Sequence, residues 1–344
     1  MNRRGLASDN GSGVHPAVLA AIARCNVDHA PAYGEDALTA EAQRLLRAAF
    51  DADAAIALTF GGTGANVVAL GALTQRHEAI LCAADAHIAV SECAAVEHYC
   101  GGKLLPIATP DGKLTPALLA PWLGPTRGVH HARPAVVSIS QPTEWGTLYQ
   151  VEELRALADC AHAHGLKLHV DGARYANAAA ALDLPLGALS AAVGVDVLCF
   201  GGTKNGLLGA EAVLAFDPAL AERLAYARKQ STQLASKMRF LAAQFVAYLE
   251  DELWRRLAGQ ANAMAARLAA AVADLPDLEF VRPVETNQLF PRLPHAAIAP
   301  LQGHFPFYVW QAHENVARWV TSFDTTAEDI DRYAAAVRET LTED

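Results

Sequence analysis

The sequence predicts an α/β protein with a large domain built on a mainly parallel β-sheet and a smaller α+β domain. Three observations predict this class. Short apolar runs alternate with longer helical patterns up to about residue 216, as in layered α/β domains. Most of these runs are apolar throughout, which is typical of strands that are covered on both faces. After about residue 220, long helical patterns and short strand-like pieces replace the alternation.

Seven runs are candidate strands of the large sheet. They are Ala55–Phe60, Ala79–Ala83, Leu104–Ala108, Ala135–Ile139, Leu166–Val170, Val195–Phe200 and Ala212–Phe216. The clearest helical pattern between them is Val151–Gly165, in which Leu154, Leu157 and Ala161 recur at helical spacing and Gly165 ends the run. This alternation predicts a layered domain with a largely parallel sheet.

The rest of the chain is predicted to form bridging helices and a second, smaller domain. The predicted elements are Ala219–Leu257, Ala261–Ala273, Leu278–Val281, Gln288–Arg292, Arg318–Thr321 and a final helix near Ala327–Leu341. The first two are long helical patterns and the next three are strand-like. We therefore predict a large α/β domain over residues 1–245 and a small α+β domain over residues 246–344.

Composition and charge restrict the class of function. The 344 residues are 52% hydrophobic and 19% charged, a globular balance. The net charge of −10 argues against general affinity for nucleic acid or an anionic membrane. No secretory signal or membrane-length apolar run is evident. The six cysteines form no Cys-x-x-Cys pair, which favours buried, reduced thiols in a cytoplasmic protein.

Two predicted strands run into turns that each carry one charged group. Asp171 follows the strand Leu166–Val170, and Lys204 lies in the glycine-rich loop after Phe200. Ligands of open α/β sheets bind beyond the carboxyl ends of the strands. Pyridoxal 5′-phosphate (PLP) needs a lysine for its Schiff base and a carboxylate to keep its ring nitrogen protonated. Alone, Lys204 could be a surface lysine, but together with Asp171 it indicates a PLP site.

Two further segments follow predicted strands. Gly61-Gly62-Thr63-Gly64 opens a helix, where backbone amides and the Thr63 hydroxyl could bind phosphate. It matches neither the P-loop nor the dinucleotide fingerprint, so an ordinary strand-to-helix turn is the alternative. His87 could stack on a pyridine ring or move protons, and a structural histidine is the alternative.

Together these segments resemble the L-threonine aldolase family of PLP enzymes, which has the aspartate aminotransferase-like type I fold. The resemblance extends over nearly the whole chain, in the same order. Its most specific match is Asp171-Gly172-Ala173-Arg174. The other matching segments are Ser8–Asn10, Tyr33–Asp36, Gly61–Thr63, His87–Ile88, Gly201–Gly206 and Arg318–Thr321.

The resemblance implies a role for each matching position. Lys204 would carry PLP, Asp171 would pair with the ring nitrogen, and His87 would cover the ring. The implied cofactor-binding residues are Gly62, Thr63, His87, Asp171, Arg174, Lys204, Lys229 and Arg239. The implied substrate-binding residues are Ser8, Tyr33, Arg174 and Arg318. An arginine suits this role because its planar guanidinium grips a carboxylate with two parallel bonds.

Lys229 and Arg239 belong to a basic segment between Arg223 and Tyr248. The resemblance implies that both reach the phosphate held by a neighbouring subunit, so the protein would be a homodimer or homotetramer with active sites at the subunit interface. A solvated helix face is the alternative interpretation of this segment.

One segment departs from the family pattern. Many members have a histidine in the loop after the fourth predicted strand, whereas this chain has Gln141-Pro142-Thr143-Glu144-Trp145-Gly146. The family's histidine is thought to bind or deprotonate the substrate hydroxyl. Glu144, His87 or an ordered water could act as the base here.

The implied activity is retro-aldol cleavage of L-threonine, L-allo-threonine or a phenylserine-type amino acid to glycine and an aldehyde. Lys204, His87, Asp171 and Glu144 would be the catalytic residues. The alternatives are β-elimination, racemisation or transamination on the same fold, or a non-catalytic binding protein. No metal site is expected, because no His/Asp/Glu cluster shows ligand spacing.

Overall fold

The computed structural model of the chain describes residues 4–124 and 128–342. The strands of its main sheet are β1 (Ala55–Thr59), β2 (Glu78–Ala83), β3 (Lys103–Ile107), β4 (Arg133–Ser140), β5 (Lys167–Gly172), β6 (Val197–Gly201) and β7 (Glu211–Ala215). Their order is β1-β7-β6-β5-β4-β2-β3. All seven predicted strands are confirmed, and each end lies within two residues of the prediction.

The directions of the strands bring several strand ends to one edge of this sheet. Strand β7 is antiparallel to its neighbours β1 and β6, whereas β3, β2, β4, β5 and β6 pair in parallel. The carboxyl ends of β1, β4, β5 and β6 therefore share one edge with the first residue of β7. This is the edge at which ligands of open α/β sheets bind.

Helices surround the sheet and continue into the smaller domain. They are α1 (Pro16–Cys25), α2 (Ala37–Phe50), α3 (Gly62–Leu73), α4 (His87–Val90), α5 (Ala95–Cys100), α6 (Pro116–Leu119), α7 (Val151–Ala163), α8 (Tyr175–Ala181), α9 (Ala221–Gln230), α10 (Arg239–Leu249), α11 (Leu253–Ala271), α12 (His295–His304) and α13 (Ala327–Thr342). The helix predicted at Val151–Gly165 is confirmed as α7, which begins with a capping box between Gln150 and Glu153.

The single helical run predicted over Ala219–Leu257 is wrong. The chain between α9 and α10 is not helical, and Thr232 within it has a φ of +64°. A second break precedes α11, where Asp251 and Glu252 have φ values of +48° and +50°. Apolar residues keep their helical spacing across both breaks, so the pattern alone did not reveal them.

A smaller antiparallel sheet forms in the last part of the chain. Its strands are β8 (Glu279–Phe280), β9 (Gln288–Leu289), β10 (Pro291–Arg292), β11 (Tyr308–Gln311) and β12 (Val316–Val320). Strand β12 pairs with β9, β10 and β11. The three strand-like pieces predicted here are confirmed, whereas β11 was not predicted.

The two sheets have separate hydrophobic cores, and α11 contributes to both. Leu257 at its start packs in the large core, and Leu268 near its end packs in the small one. Leu6 also belongs to the small core, so the chain crosses the small domain before it reaches the main sheet. The predicted boundary at residue 245 stays a prediction.

Two expectations about surface and thiols can be compared with the described residues. No single helix among the described residues is both long and apolar enough to cross a membrane. One pair of successive helices has enough combined length and apolar character, but the two helices are bent by 107° relative to each other. All six cysteines are free thiols, and the prediction that they are buried is confirmed for Cys82, Cys100 and Cys199. It is wrong for Cys93, which is exposed, and for Cys25 and Cys160, which are only partly buried.

Phe200 is predicted to be a major source of stability next to the ligand edge. It is fully buried and packs against the rings of Phe50, Tyr175, Phe245 and Tyr248. Phe200→Ala should lower the free energy of unfolding by roughly 3–5 kcal/mol, because it leaves a cavity in a packed core. Urea unfolding followed by circular dichroism measures this. Tyr226→Ala, at a ring that is 70% exposed, should change stability by less than about 0.5 kcal/mol.

Candidate active site

Lys204 and Asp171 lie on two turns that touch each other. The lysine turn (Thr203–Asn205) follows β6, and the aspartate turn (residues 171–174) begins with the last two residues of the neighbouring strand β5. A Cβ atom on Gly201 would lie 2.5 Å from the carbonyl oxygen of Ala173. Only glycine permits this approach, so the sequence itself holds the amine and the carboxylate at adjacent strand ends.

The surroundings of Lys204 lower the pKa of its amine. Burial lowers this pKa, and the positive charge of Arg174 lowers it further. The carboxylates of Asp9, Glu144 and Asp171 act in the opposite direction. A lowered pKa makes it easier for the amine to lose its proton, and only the deprotonated amine can attack a carbonyl carbon.

Asp171 is held by two hydrogen-bond donors. Its Oδ1 accepts from the backbone N–H of Ala173 at 3.0 Å, and its Oδ2 accepts from Asn66 Nδ2 at 2.8 Å. The same amide nitrogen donates to Glu92 Oε1 at 2.8 Å. One amide group therefore joins two buried carboxylates and fixes their orientation.

Sequence reasoning missed Asn66 and Glu92, since neither belongs to a recognisable motif. One signal was present. Asn66 is the polar residue in the otherwise apolar stretch of α3 from Ala65 to Leu73, and a buried asparagine in such a stretch needs hydrogen-bond partners.

His87 opens α4, and its Nδ1 lies 2.7 Å from Glu92 Oε1. This hydrogen bond raises the pKa of His87 above 6.5, although burial opposes the rise. The charges of Glu144 and Asp171 also raise it. His87 therefore keeps its proton to a higher pH than a free histidine does.

Ligand atoms of His87, Glu92 and Asp171 lie within 4.8 Å of one another, so distance alone would allow a metal ion. The spacing of these residues in the sequence did not reveal the group. The Asn66 amide already donates hydrogen bonds to both carboxylates. The arrangement therefore suits a protonated ring nitrogen beside the carboxylates better than a metal ion.

Arg174 is fixed by a buried ion pair. Its Nε and Nη2 donate to the two oxygens of Asp9 at 2.6 and 2.8 Å, and Asn287 Nδ2 donates to Asp9 at 3.1 Å. Burial would raise the pKa of Asp9, but the charges of Arg174 and Lys204 outweigh it and lower the pKa. Ser8 precedes Asp9, and the Ser8 Oγ accepts from the backbone N–H of Asn10 at 3.2 Å.

Arg318 lies on β12 and faces Arg174. Its guanidinium stacks over the rings of Trp310 at 4.8 Å and Tyr308 at 5.6 Å. Burial lowers the pKa of Arg318, and the charge of Arg174 lowers it further. An arginine whose charge is destabilised by burial and by a second arginine is a favourable binding place for an anion such as a carboxylate.

The predicted phosphate loop forms the start of α3. Gly61 precedes the helix without a side-chain cap, so the first amides of the helix have no such partner. Within the part of the chain that the structure describes, no atom outside the helix's own nearby backbone lies within 4 Å of a Cβ built on Gly62. Gln233 borders the loop, since its Oε1 accepts from the N–H of Phe60 at 3.2 Å. Thr63 follows in the first turn.

Lys229, Arg239 and Tyr33 lie together on the surface. Lys229 Nζ is 5.1 Å from the centre of the Tyr33 ring, and Arg239 Nη1 donates to the carbonyl oxygens of Val27 and Asp28 at 2.9 and 3.3 Å. Among the described residues, no hydrogen bond joins Lys229 or Arg239 to the phosphate loop of the same chain.

Glu144 lies in a well-anchored loop. Thr143 Oγ1 and Thr147 Oγ1 are 2.7 Å apart, and Trp145 Nε1 donates to Asp85 Oδ2 at 2.5 Å. Glu144 is partly exposed. Its negative charge acts to raise the pKa values of His87, Lys204, Arg174 and Arg318, although the net shift of Lys204 and Arg318 is downward. Glu144 therefore lies near the space that these residues share.

Comparison with known proteins gives consistent relatives. The model of the beta-eliminating lyase family matches residues 5–295. The chain is 44% identical over 335 residues to a low specificity L-threonine aldolase of Pseudomonas aeruginosa, covering 97% of this chain and 96% of the relative. It is 41% identical over 338 residues to the enzyme of the same name from a Pseudomonas species, covering 98% and 97%.

Solved structures agree with this relationship. A threonine aldolase from Leishmania major superposes with a TM-score of 0.93 at 31% identity, covering 98% of this chain and 99% of the other. Aspartate aminotransferase from Thermus thermophilus superposes with a TM-score of 0.70 at 16% identity, covering 98% and 92%, which shows the fold alone. The predicted aminotransferase-like fold is confirmed.

We predict that Glu92 controls the proton on His87. Glu92→Gln should lower the pKa of His87, because the amide replaces the charged acceptor that stabilises the imidazolium. Nuclear magnetic resonance titration of the His87 ring measures this. Since the folded pKa is raised, the pair stabilises the fold below pH 6.5, and that contribution should be lost as the pH rises through the folded pKa. Glu78→Gln, at a buried carboxylate paired with Arg133, should leave the His87 titration unchanged.

Proposed function

Because this chain belongs to the beta-eliminating lyase family, and within it to the L-threonine aldolases, we propose that it cleaves L-threonine to glycine and acetaldehyde with PLP bound to Lys204. The family resemblance drawn from the sequence is confirmed by the full-length relatives. The observation that carries the proposal is the contact between the lysine turn and the aspartate turn, which brings the Lys204 amine to the strand end beside Asp171.

The residues of the site fit PLP at three points. The partly buried Lys204 has the lowered pKa that a covalent link to an aldehyde needs. Asp171 is oriented by hydrogen bonds from Asn66 and from the backbone N–H of Ala173, so its carboxylate can pair with a pyridine nitrogen. The start of α3 has uncapped amides and open space at Gly62, which suit a phosphate together with Thr63. PLP supplies an electron-withdrawing ring that stabilises negative charge at the substrate Cα.

The two arginines would bind the substrate carboxylate. Asp9 fixes Arg174 through two hydrogen bonds, and the rings of Trp310 and Tyr308 fix Arg318. A carboxylate held in this way cannot rotate freely, so the arginines determine which bond at Cα is aligned for cleavage. Ser8 and Tyr33 complete the proposed substrate contacts, and His87 would cover the ring.

Glu144 is the proposed base for the β-hydroxyl proton. It is the carboxylate that faces Lys204, His87 and both arginines from the loop after β4. His87 is less suited, since its raised pKa favours the protonated form, which cannot accept a proton.

The active form is proposed to be a homodimer or homotetramer in the cytoplasm. Four large apolar side chains around the site are about half exposed: Tyr33 51%, Phe60 49%, Leu208 59% and Tyr308 55%. Such side chains support a partner surface beside the site. Lys229 and Arg239 would then reach the phosphate held by the neighbouring subunit. Six free thiols are consistent with a reducing compartment.

The proposed reaction is tested with a substrate panel. Wild-type protein and L-threonine should give glycine and acetaldehyde, with L-allo-threonine and L-phenylserine cleaved as well. Lys204→Ala should lose both the activity and the yellow bound chromophore, because no other amine takes its place. Chromatography of amino acids and an aldehyde assay measure the products.

The controls separate this reaction from the alternatives. Lys103→Ala, an exposed lysine at the start of β3, should keep chromophore and turnover. Formation of 2-oxobutanoate instead of glycine would indicate β-elimination, and D-allo-threonine, the Cα epimer of L-threonine, would indicate racemisation. Normal turnover by Lys204→Ala would overturn the proposal.

The role of Glu144 is tested by Glu144→Gln. If Glu144 takes the hydroxyl proton, this change should lower kcat roughly 100-fold or more and flatten the acid limb of the kcat–pH profile. Glu152→Gln, an exposed carboxylate at the start of α7, serves as the matched control. An unchanged kcat and profile in Glu144→Gln would assign the proton to another group.

A further inference from the structure

Glu211 is a buried carboxylate next to the lysine turn. It is the first residue of β7, the strand that runs antiparallel to both of its neighbours. In the register of the sheet it lies between Thr59 at the end of β1 and Gly201 at the end of β6. Glu211 is thus the one strand residue between the phosphate loop and the lysine turn. It belongs to no motif found in the sequence.

Both carboxylate oxygens of Glu211 bind the residues just before Lys204. Its Oε1 accepts from Thr203 Oγ1 at 2.6 Å, and its Oε2 accepts from the backbone N–H of Gly202 at 3.1 Å. A Cβ atom on Gly202 would lie 2.8 Å from the carbonyl oxygen of Ala210. This close approach brings the turn within reach of the short Glu211 side chain.

The residue after Lys204 is anchored independently. Asn205 Nδ2 donates to the Tyr248 hydroxyl at 2.6 Å and to the carbonyl oxygen of Trp254 at 2.9 Å. The residues on both sides of the lysine are therefore anchored. The carboxylate of Glu211 binds Gly202 and Thr203 before it, and the neutral oxygens of Tyr248 and Trp254 bind Asn205 after it. This difference allows the effect of charge to be separated from the effect of anchoring.

The ionisation of Glu211 depends on Lys204. Burial raises the pKa of Glu211 to about 7, and the positive charge of Lys204 opposes this rise. The groups that face Glu211 are Thr203, Lys204, Asp171, Cys199 and Tyr248. Among these groups, Lys204 is the one that carries a positive charge when protonated and so stabilises the ionised form of Glu211.

We propose that Glu211 is a positioning residue for Lys204, which fixes the lysine turn and stabilises positive charge on the lysine nitrogen. Glu211 acts through Gly202 and Thr203 and is not placed in contact with the substrate. The inference rests on the proposed attachment of PLP to Lys204. When that link forms, its nitrogen can be protonated, and a nearby carboxylate raises the pH at which the proton is lost.

The test is a pH titration of the visible absorbance of the holoenzyme. Lysine-bound PLP changes colour when the linking nitrogen loses its proton. Glu211→Gln should lower the midpoint of this change by about one pH unit or more, the usual effect of a close opposite charge. A glutamine can still accept from Gly202 and can donate to the Thr203 hydroxyl, so the change removes the charge and keeps the anchoring.

Two further variants complete the test. Tyr248→Phe removes a hydrogen bond from Asn205 on the other side of the lysine without changing charge, and its midpoint should equal that of wild type. Thr203→Val removes a donor to Glu211, which makes the carboxylate harder to ionise, so its midpoint should also fall. If Glu211→Gln does not fold, as judged by circular dichroism, the Thr203→Val midpoint decides.

The outcomes separate this inference from the proposed function. If wild-type protein shows no visible band, or if Lys204→Ala keeps the band, the attachment of PLP to Lys204 is wrong. If wild type shows the band but Glu211→Gln titrates with the same midpoint, the role of Glu211 alone is wrong. An equal downward shift in Tyr248→Phe would also overturn it, because loosening of the turn would then explain the effect.

Discussion

The contact between Gly201 and Ala173 is the constraint on which the site depends. A side chain at Gly201 would meet the backbone of the aspartate turn at 2.5 Å, so the two turns touch only because this residue is glycine. Parallel pairing of β5 and β6 brings their ends together, and the glycine then closes the remaining distance. The charges of Asp171 and Arg174, which both lie on the aspartate turn, act on Lys204 because of this proximity.

A second set of contacts joins the two domains at the same place. Asp9 binds Arg174 of the large domain and Asn287 of the small domain. Breaking such a buried pair by removing one partner leaves an uncompensated charge in a dry environment. The ion pair therefore keeps the arginine oriented and also holds the small domain, with Arg318, against the site.

The sequence predicted the parts of the site that lie at strand ends. Asp171 and Lys204 were found because apolar strands point to them, and the seven strands were found for the same reason. The roles of Asp9 and Asn66 were not found, because their partners lie far away in the sequence and only the folded chain brings them together. Glu92 and Glu211 were not found although some partners are near in sequence, because neither residue belongs to a recognisable motif. Helical spacing likewise continued through the breaks before α10 and α11, where backbone conformation and not hydrophobicity ends each helix.

The contacts of Asp9 also bear on the order in which the site is assembled during synthesis. Asp9 precedes Arg174 by 165 residues and Asn287 by 278 residues. On the ribosome Asp9 must therefore wait until Asn287 has emerged before this group is complete. The seven strands of the large sheet all precede Asn287, so a nascent chain can have these strands in place while its binding edge is still open.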